Sequence, residues 1–233
     1  MAISKDVSAS LHDKYEGEES NMIKKRVYVI WDDEYHPEAT YTAITHKLFN
    51  NDKWELTTTY KARDILYLEQ VPDLVLNWTI GRPLGVESDL SPEEQAQMKK
   101  LVEGGMNAMY IHAGLACIQD NTPIFDIARG RFASHPEPHN PVYCCALPGS
   151  AHLILKGFES FVDPDEHYFC KVDVENVTPF LCSISDAGTE IAGWTQEVGK
   201  GRVCCMTPGH NAPMLAKMET LLSNAAAWCV GEL

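Results

Sequence analysis

Three short segments end apolar runs on groups that can move protons or hold a divalent cation. Asn107-Ala-Met-Tyr-Ile-His-Ala-Gly114 runs into small residues and presents His112, Asp165-Glu166-His167-Tyr168 offers the carboxylate of Glu166, and Cys204-Cys-Met-Thr-Pro-Gly-His210 closes on His210. Imidazole titrates near neutral pH, and partial desolvation raises a carboxylate toward the same range, so His112, Glu166 and His210 in one crevice would form an acid/base cluster. The same two histidines and carboxylate also suit one divalent metal such as zinc, with a coordination position left for water. There is no H-E-x-x-H and no closely spaced ligand pair, so such a site must be assembled from distant segments. A plainer reading stands beside it: histidines at strand ends are often hydrogen-bonded structural residues, and Asp163-Pro-Asp165-Glu166 reads as a turn-like acidic cluster.

A second tier of residues could touch a substrate. Trp31, Asp33 and His36 follow the first apolar run, although acidic residues there also suit a helix N-terminus. His135 and His152 are the further candidates. His139 and His167 carry no second signal. Gly199-Lys-Gly-Arg202 lies between two strand-like runs, which makes it a hairpin turn rather than a phosphate loop.

The elements that must position these groups follow from periodicity. Residues 25–31 form a short β-branched and aromatic run of the fully buried kind, and a helix with Ala43, Ile44 and Leu48 on its inner face should follow. Residues 54–60 and 74–78 are the next strands, and this alternation predicts a parallel sheet. Ser91 as N-cap, Pro92 at the first helical position and Glu94 closing a capping box start a helix that carries Met98, Leu101 and Val102 on one face and ends at Gly104-Gly105. The strand at residues 108–111 then delivers His112. Residues 115–141 read as loop and short helix. Later strands are expected at 142–146, 168–172 and 180–184, with a hairpin of 191–198 and 202–206. One closing helix should place Met214, Met218, Leu221, Leu222, Ala225 and Cys229 on a single face. In an open α/β sheet ligands bind beyond the carboxyl ends of the strands, where His112, His210 and the loop after Trp31 all fall.

Composition narrows the partners. The 233 residues carry 19 basic and 33 acidic side chains, a net charge of -14, so nothing attracts a phosphate backbone and neither nucleic acid nor a membrane surface is expected. No apolar run approaches the roughly 18 residues that span a bilayer, and no secretory leader is visible, which predicts a cytoplasmic protein. Its eight cysteines have no C-x-x-C spacing and lie in apolar runs, so they read as buried free thiols. Residues 1–24 form a polar, charge-mixed arm, and 25–233 form a single α/β domain; the oligomeric state, a homo-oligomer included, stays open.

The chain resembles the ThuA-like, or trehalose-utilisation, family over roughly residues 25 to 231. The marks are the Glu-Gly-Gly helix end leading to Tyr110-Ile-His112-Ala-Gly, Phe132-Ala-Ser-His135-Pro, Ser150-Ala-His152-Leu-Ile-Leu-Lys-Gly157-Phe, Asp165-Glu166-His167-Tyr168, Gly199-Lys-Gly-Arg-Val203, Pro208-Gly-His210 and Ala227-Trp228. The resemblance implies a flavodoxin-like sheet of the class I glutamine amidotransferase type, mostly parallel and flanked by helices. Amidotransferases of that fold place a cysteine at the strand-to-helix elbow; here the elbow residue is His112, with Cys117 five positions late, which disfavours cysteine-dependent glutamine hydrolysis. One departure is the first loop, where many relatives have a His-Asp pair and this chain has Tyr35-His36-Pro37. The implied function is catabolism of a sugar substrate, with cleavage of a disaccharide or 3-keto-glycoside by acid/base chemistry, assisted by a metal where one is bound. The alternative is a noncatalytic carbohydrate-binding or assembly module that keeps the fold.

Overall fold

A computed structural model of the chain describes residues 23–80, 89–137 and 139–233. The arm expected at residues 1–24 lies outside them up to residue 22. The first half alternates strand and helix: β1 (Lys25–Ile30), α1 (Glu38–Phe49), β2 (Trp54–Thr59), β3 (Leu74–Asn77), α2 (Pro92–Gly104) and β4 (Asn107–Ile111). After α3 (Pro123–Ala128) come the strands β5 (Gly130–Ser134), β6 (Asn140–Ala146), β7 (Phe161–Asp165), β8 (Phe169–Val172), β9 (Thr178–Ser185), β10 (Gly188–Val198) and β11 (Gly201–Met206), then α4 (Ala212–Lys217) and α5 (Glu219–Cys229).

Among the described residues nine strands form one sheet in the order β2-β1-β3-β4-β11-β10-β9-β6-β7, and β5 pairs with β8 separately. The five strands from β2 to β11 are parallel to their neighbours. Their order is the flavodoxin-like one, whose switch point lies between β1 and β3. From β11 onward the pairings are antiparallel, beginning with the β10–β11 hairpin.

Alternation along the parallel strands divides the core in two. Val27, Val29, Leu74, Leu76, Met109, Ile111, Cys204 and Met206 face the layer of α1, α4 and α5, while Val75, Ala108, Tyr110, Val203 and Cys205 face α2 and α3. Neighbouring Cys204 and Cys205 therefore sit in different cores. All eight cysteines are free, and the sulfurs of Cys145 and Cys182 stand 3.1 Å apart across β6 and β9. The antiparallel half shares the first core through Val142, Cys144 and Phe180, so it curls over the helices that cover β11.

Four local expectations are corrected. Ala43 is exposed, because the buried face of α1 is Tyr41, Ile44, Thr45, Leu48 and Phe49, and residue 43 lies on the opposite side of that stripe. Gly130–Ser134 is a strand rather than loop, held by β8. The acidic cluster at 163–165 belongs to strand β7; Pro164 is tolerated there because β7 is an edge strand and needs no donor on its open side. The closing helix breaks at Met218, whose N–H is shared between the carbonyls of Met214 and Leu215, yet the buried stripe continues across the break.

Candidate functional site

The loop after β1 turns at Asp32, a non-glycine residue at φ 72°. Asp33 then organises it. Its Oδ1 accepts the backbone N–H groups of Tyr35 and His36, each at 2.9 Å, and faces His36 Nδ1 at 2.9 Å. Its Oδ2 accepts the Thr79 hydroxyl at 2.9 Å and the Ile80 N–H at 3.0 Å, from the loop after β3. One carboxylate thus staples the two loops that flank the switch point. Burial alone would raise its pKa, but the hydrogen bond to His36 and the backbone N–H donors outweigh this and hold it at about 2. Asp33 is therefore an anchor with its acceptors committed, which corrects its expected role in touching substrate. His36 is corrected likewise: Nδ1–H is donated to Asp33, and Nε2 is buried without a hydrogen-bond partner.

His112 occupies the strand-to-helix elbow after β4 at φ 48°, a left-handed conformation that costs a β-carbon-bearing residue on the order of 1–3 kcal/mol. Its Nδ1 is 2.7 Å from the Thr207 carbonyl, which can only accept, so the proton sits on Nδ1 and Nε2 is the lone pair. The ring is fully buried and stacked on Tyr168 at 4.0 Å. Burial lowers its pKa to about 4 against the pull of Glu166, so it is neutral at pH 7.

Glu166 reaches the switch point from the end of β7, the far edge of the sheet. The connection is Asp165, whose carboxylate accepts Gly209 N–H at 2.9 Å, His210 N–H at 3.0 Å and the Asn211 side-chain amide at 3.4 Å. This ties the end of β7 to the loop after β11. Burial pushes Asp165 up to about 7 against those donors.

The result is a convergence on one carboxylate. Glu166 Oε2 lies 3.3 Å from His112 Nε2 and 3.2 Å from His210 Nδ1. One ligand atom each from His36, His112, Glu166 and His210 can be chosen so that all lie within 4.8 Å of one another. A tetrahedral ion with bonds of about 2.0–2.1 Å separates its ligands by roughly 3.3 Å, and the contacts of Glu166 with His112 and His210 have that length, which an ion pair shares. His36 Nε2, His112 Nε2 and His210 Nδ1 are all buried atoms, and apart from the Glu166 contacts of the last two they have no polar partner. Asp33 behind His36 and the Thr207 carbonyl behind His112 are the supporting contacts that fix the tautomer of a ligating imidazole. Burial raises the Glu166 carboxyl, but the adjacent histidines prevail and hold it far below the usual carboxylate range, while Glu166 in turn raises His210.

The other oxygen of Glu166 serves an outer set. Oε1 is 3.3 Å from His139 Nε2 and 3.8 Å from His135 Nε2. The side chains open toward solvent in order: His112 is 0% exposed, Glu166 13%, His210 20%, His135 22% and His139 36%. His112, Glu166, His210 and His135 thus come together as expected from the sequence, joined by His36 and by His139, which sequence reasoning passed over. The signal for His139 was its spacing of four from His135, with Glu137 between them on the loop after β5.

Two candidates fall away. Trp31 is buried at 3% exposure in the core beneath α1, because it prolongs the inward alternation of Val27 and Val29. His152 caps a short 3₁₀ turn: Nδ1 accepts Ile154 N–H at 3.2 Å, Nε2 meets the Thr195 hydroxyl at 3.0 Å, and the ring stacks on Phe180. Both of its nitrogens are committed to the fold. His167 is similarly bound, between the hydroxyls of Ser183 and Ser185.

A family model described as ThuA, trehalose utilisation, matches residues 26–229. Among solved structures, a ThuA-like protein from Bacteroides uniformis superposes with a TM-score of 0.69 at 17% identity, covering 93% of this chain and 95% of that one. A ThuA-like protein from Parabacteroides merdae gives 0.68 at 12% identity, covering 89% and 90%. The β-galactosidase of Rahnella sp. R3 gives 0.61 at 12% identity, but the match takes in 88% of this chain and only 31% of that enzyme. At these identities the likeness is one of fold. No curated protein matches the sequence. Among the described residues no helix is long and apolar enough to cross a membrane.

Proposed function

Because the chain belongs to the ThuA family, whose description ties it to sugar utilisation, we propose that it is a sugar-catabolic enzyme that cleaves a disaccharide or 3-keto-glycoside with the help of one divalent ion such as zinc. The observation that carries the reading is the gathering of three ring nitrogens around Glu166: those of His112 and His210 face its carboxylate and nothing else, and that of His36 is buried without a hydrogen-bond partner. The Nε2 lone pair of neutral His112 stands 3.3 Å from the Glu166 carboxylate, a contact that repels unless a proton or a cation lies between them. These four residues would hold the ion, and when bound it would stabilise negative charge developing on a substrate oxygen.

His36 and His112 are too enclosed to exchange protons with a sugar, and each has its Nδ1 committed. Proton transfer falls to His139, the most exposed imidazole of the group, whose Nε2 sits at the rim beside Glu166. In a 3-keto-glycoside the keto group acidifies the C2 proton. His139 takes that proton, the C2 electron pair forms the C1–C2 double bond, and the C1–O bond breaks. The leaving oxygen receives the proton back from His139, and water then adds to the double bond at C1. The reaction is thus elimination followed by hydration.

The test is metal analysis of the purified protein together with turnover on a 3-keto disaccharide. His36→Ala should lose the ion and about 10²-fold or more of the turnover, and His139→Ala should keep the ion while losing a similar factor. Normal turnover per folded molecule in His36→Ala would end the proposal.

A further inference from the structure

The two oxygens of Glu166 are divided between two sets of ligands, and we infer that the outer set is a second divalent-cation site, bridged to the first through Glu166. The inner oxygen, Oε2, faces His112 and His210. The outer oxygen, Oε1, faces His135 at 3.8 Å, and one ligand atom each from His135, Glu137 and Glu166 lie within 4.8 Å of one another. His135 Nδ1 is 3.2 Å from the Pro136 carbonyl and 3.4 Å from Glu137 Oε1, and its Nε2 is turned toward Glu166 Oε1 at 3.8 Å, so the ring stands between the two carboxylates. As at His112, a backbone carbonyl faces Nδ1 while Nε2 faces Glu166, here from the other side of the same carboxylate.

The chemistry of the two sets differs. The inner set holds three imidazoles and one carboxylate and is the more enclosed; the outer holds the imidazole of His135 and two carboxylates, with His139 Nε2 3.3 Å from the same Glu166 oxygen, and opens to solvent, with Glu137 67% exposed. Imidazole-rich shells suit zinc, whereas carboxylate-rich shells with room for water suit harder ions such as Mn²⁺ or Mg²⁺. A carboxylate shared in this way holds two ions about 3.5–4 Å apart, the spacing at which both can act on one substrate oxygen or water. The outer ion would then be the exchangeable one. It lies on the solvent side, where a sugar arrives.

The inference rests on the inner site proposed above, and the experiment separates the two. The full-length protein, stripped with a chelator and dialysed, is titrated with Mn²⁺ alone and followed by calorimetry and by the electron paramagnetic resonance signal. Wild type should take up about two ions per chain, with the signal of the first broadened as the neighbouring second one binds. Glu137→Gln, a change at an exposed side chain that leaves folding undisturbed, and His135→Ala should each bind about one ion and show no broadening. Wild type and Glu137→Gln binding the same number of ions would overturn the outer site. One ion in wild type that is lost in His36→Ala but kept in Glu137→Gln would do the same and leave the inner site standing. One ion that survives His36→Ala and is lost in Glu137→Gln would overturn the inner reading and with it the bridge.

Discussion

The parallel and antiparallel halves of the sheet contribute to the same cluster by different routes. On the parallel side, β1, β4 and β11 end at one edge, and the residues just beyond them, His36, His112 and His210, meet because neighbouring parallel strands must place their carboxyl ends side by side. On the antiparallel side, Glu166 follows β7, the last strand in the order, four places from β11. It arrives only because that half curls over α4 and α5, and because the Asp165 carboxylate is tied to the backbone of Gly209 and His210. One half sets ligand positions by topology; the other depends on curvature and a single buried carboxylate.

Breaking the antiparallel contribution should have the largest effect. Glu166→Gln keeps the shape and removes the charge between the histidines, so turnover per folded molecule on a 3-keto disaccharide should fall by at least about 10²-fold, with some loss of melting temperature because the histidines favour the ionised carboxylate. Near-normal turnover would show that the curled half is scaffolding only. Asp165→Asn tests the tie itself. It places amide protons against backbone N–H donors, which should cost about 1.5–3 kcal/mol of stability and at least several-fold in turnover, read by denaturant melts and kinetics together.

The parallel half is probed by Gly114→Ala. A β-carbon there would stand 2.5 Å from the Asn77 carbonyl and force β3 away from the elbow after β4. A loss of about 1–3 kcal/mol is expected, from overpacking; a neutral result would mean that the elbow is not clamped. His152→Asn is subtler and depends on pH. Burial depresses the pKa of His152 below its ordinary value, so its stabilising effect is complete above the unfolded-state value near 6.5 and is lost as pH falls toward the folded-state value. Wild type should therefore lose more stability than His152→Asn between about pH 8 and pH 5. Parallel melting curves for the two proteins would refute the capping role. His46→Ala, on the exposed face of α1, should be silent within about 0.5 kcal/mol and supplies the control.

Legibility in the sequence followed the same division. Strand–helix alternation, the capping box at Ser91 and Glu94, and the elbow at His112 are local patterns, and the structure keeps each of them. Glu166 was visible as a carboxylate, but its strand was not, since Pro164 and the flanking aspartates mimic a turn and only pairing with β6 makes them extended. Trp31 and His152 turn into the fold and away from the cluster, and a residue beside a polar loop can turn to either side, so nothing in the sequence says which core will take it. His139 was passed over because its partner, Glu166, lies 27 residues away along the chain.

What the sequence determined by itself is the periodicity of the buried faces, and with it the α/β fold, the family, and the delivery of histidines to the carboxyl ends of β1, β4 and β11. The tertiary structure decided which of them face one another, which oxygen of Glu166 each one meets, and which ring nitrogens are left without a partner. The physical reason is range. Hydrophobic alternation and capping act over a few residues and can be read along the chain, whereas a ligand shell is a matter of distances of about 3 Å between groups brought together by sheet curvature and burial.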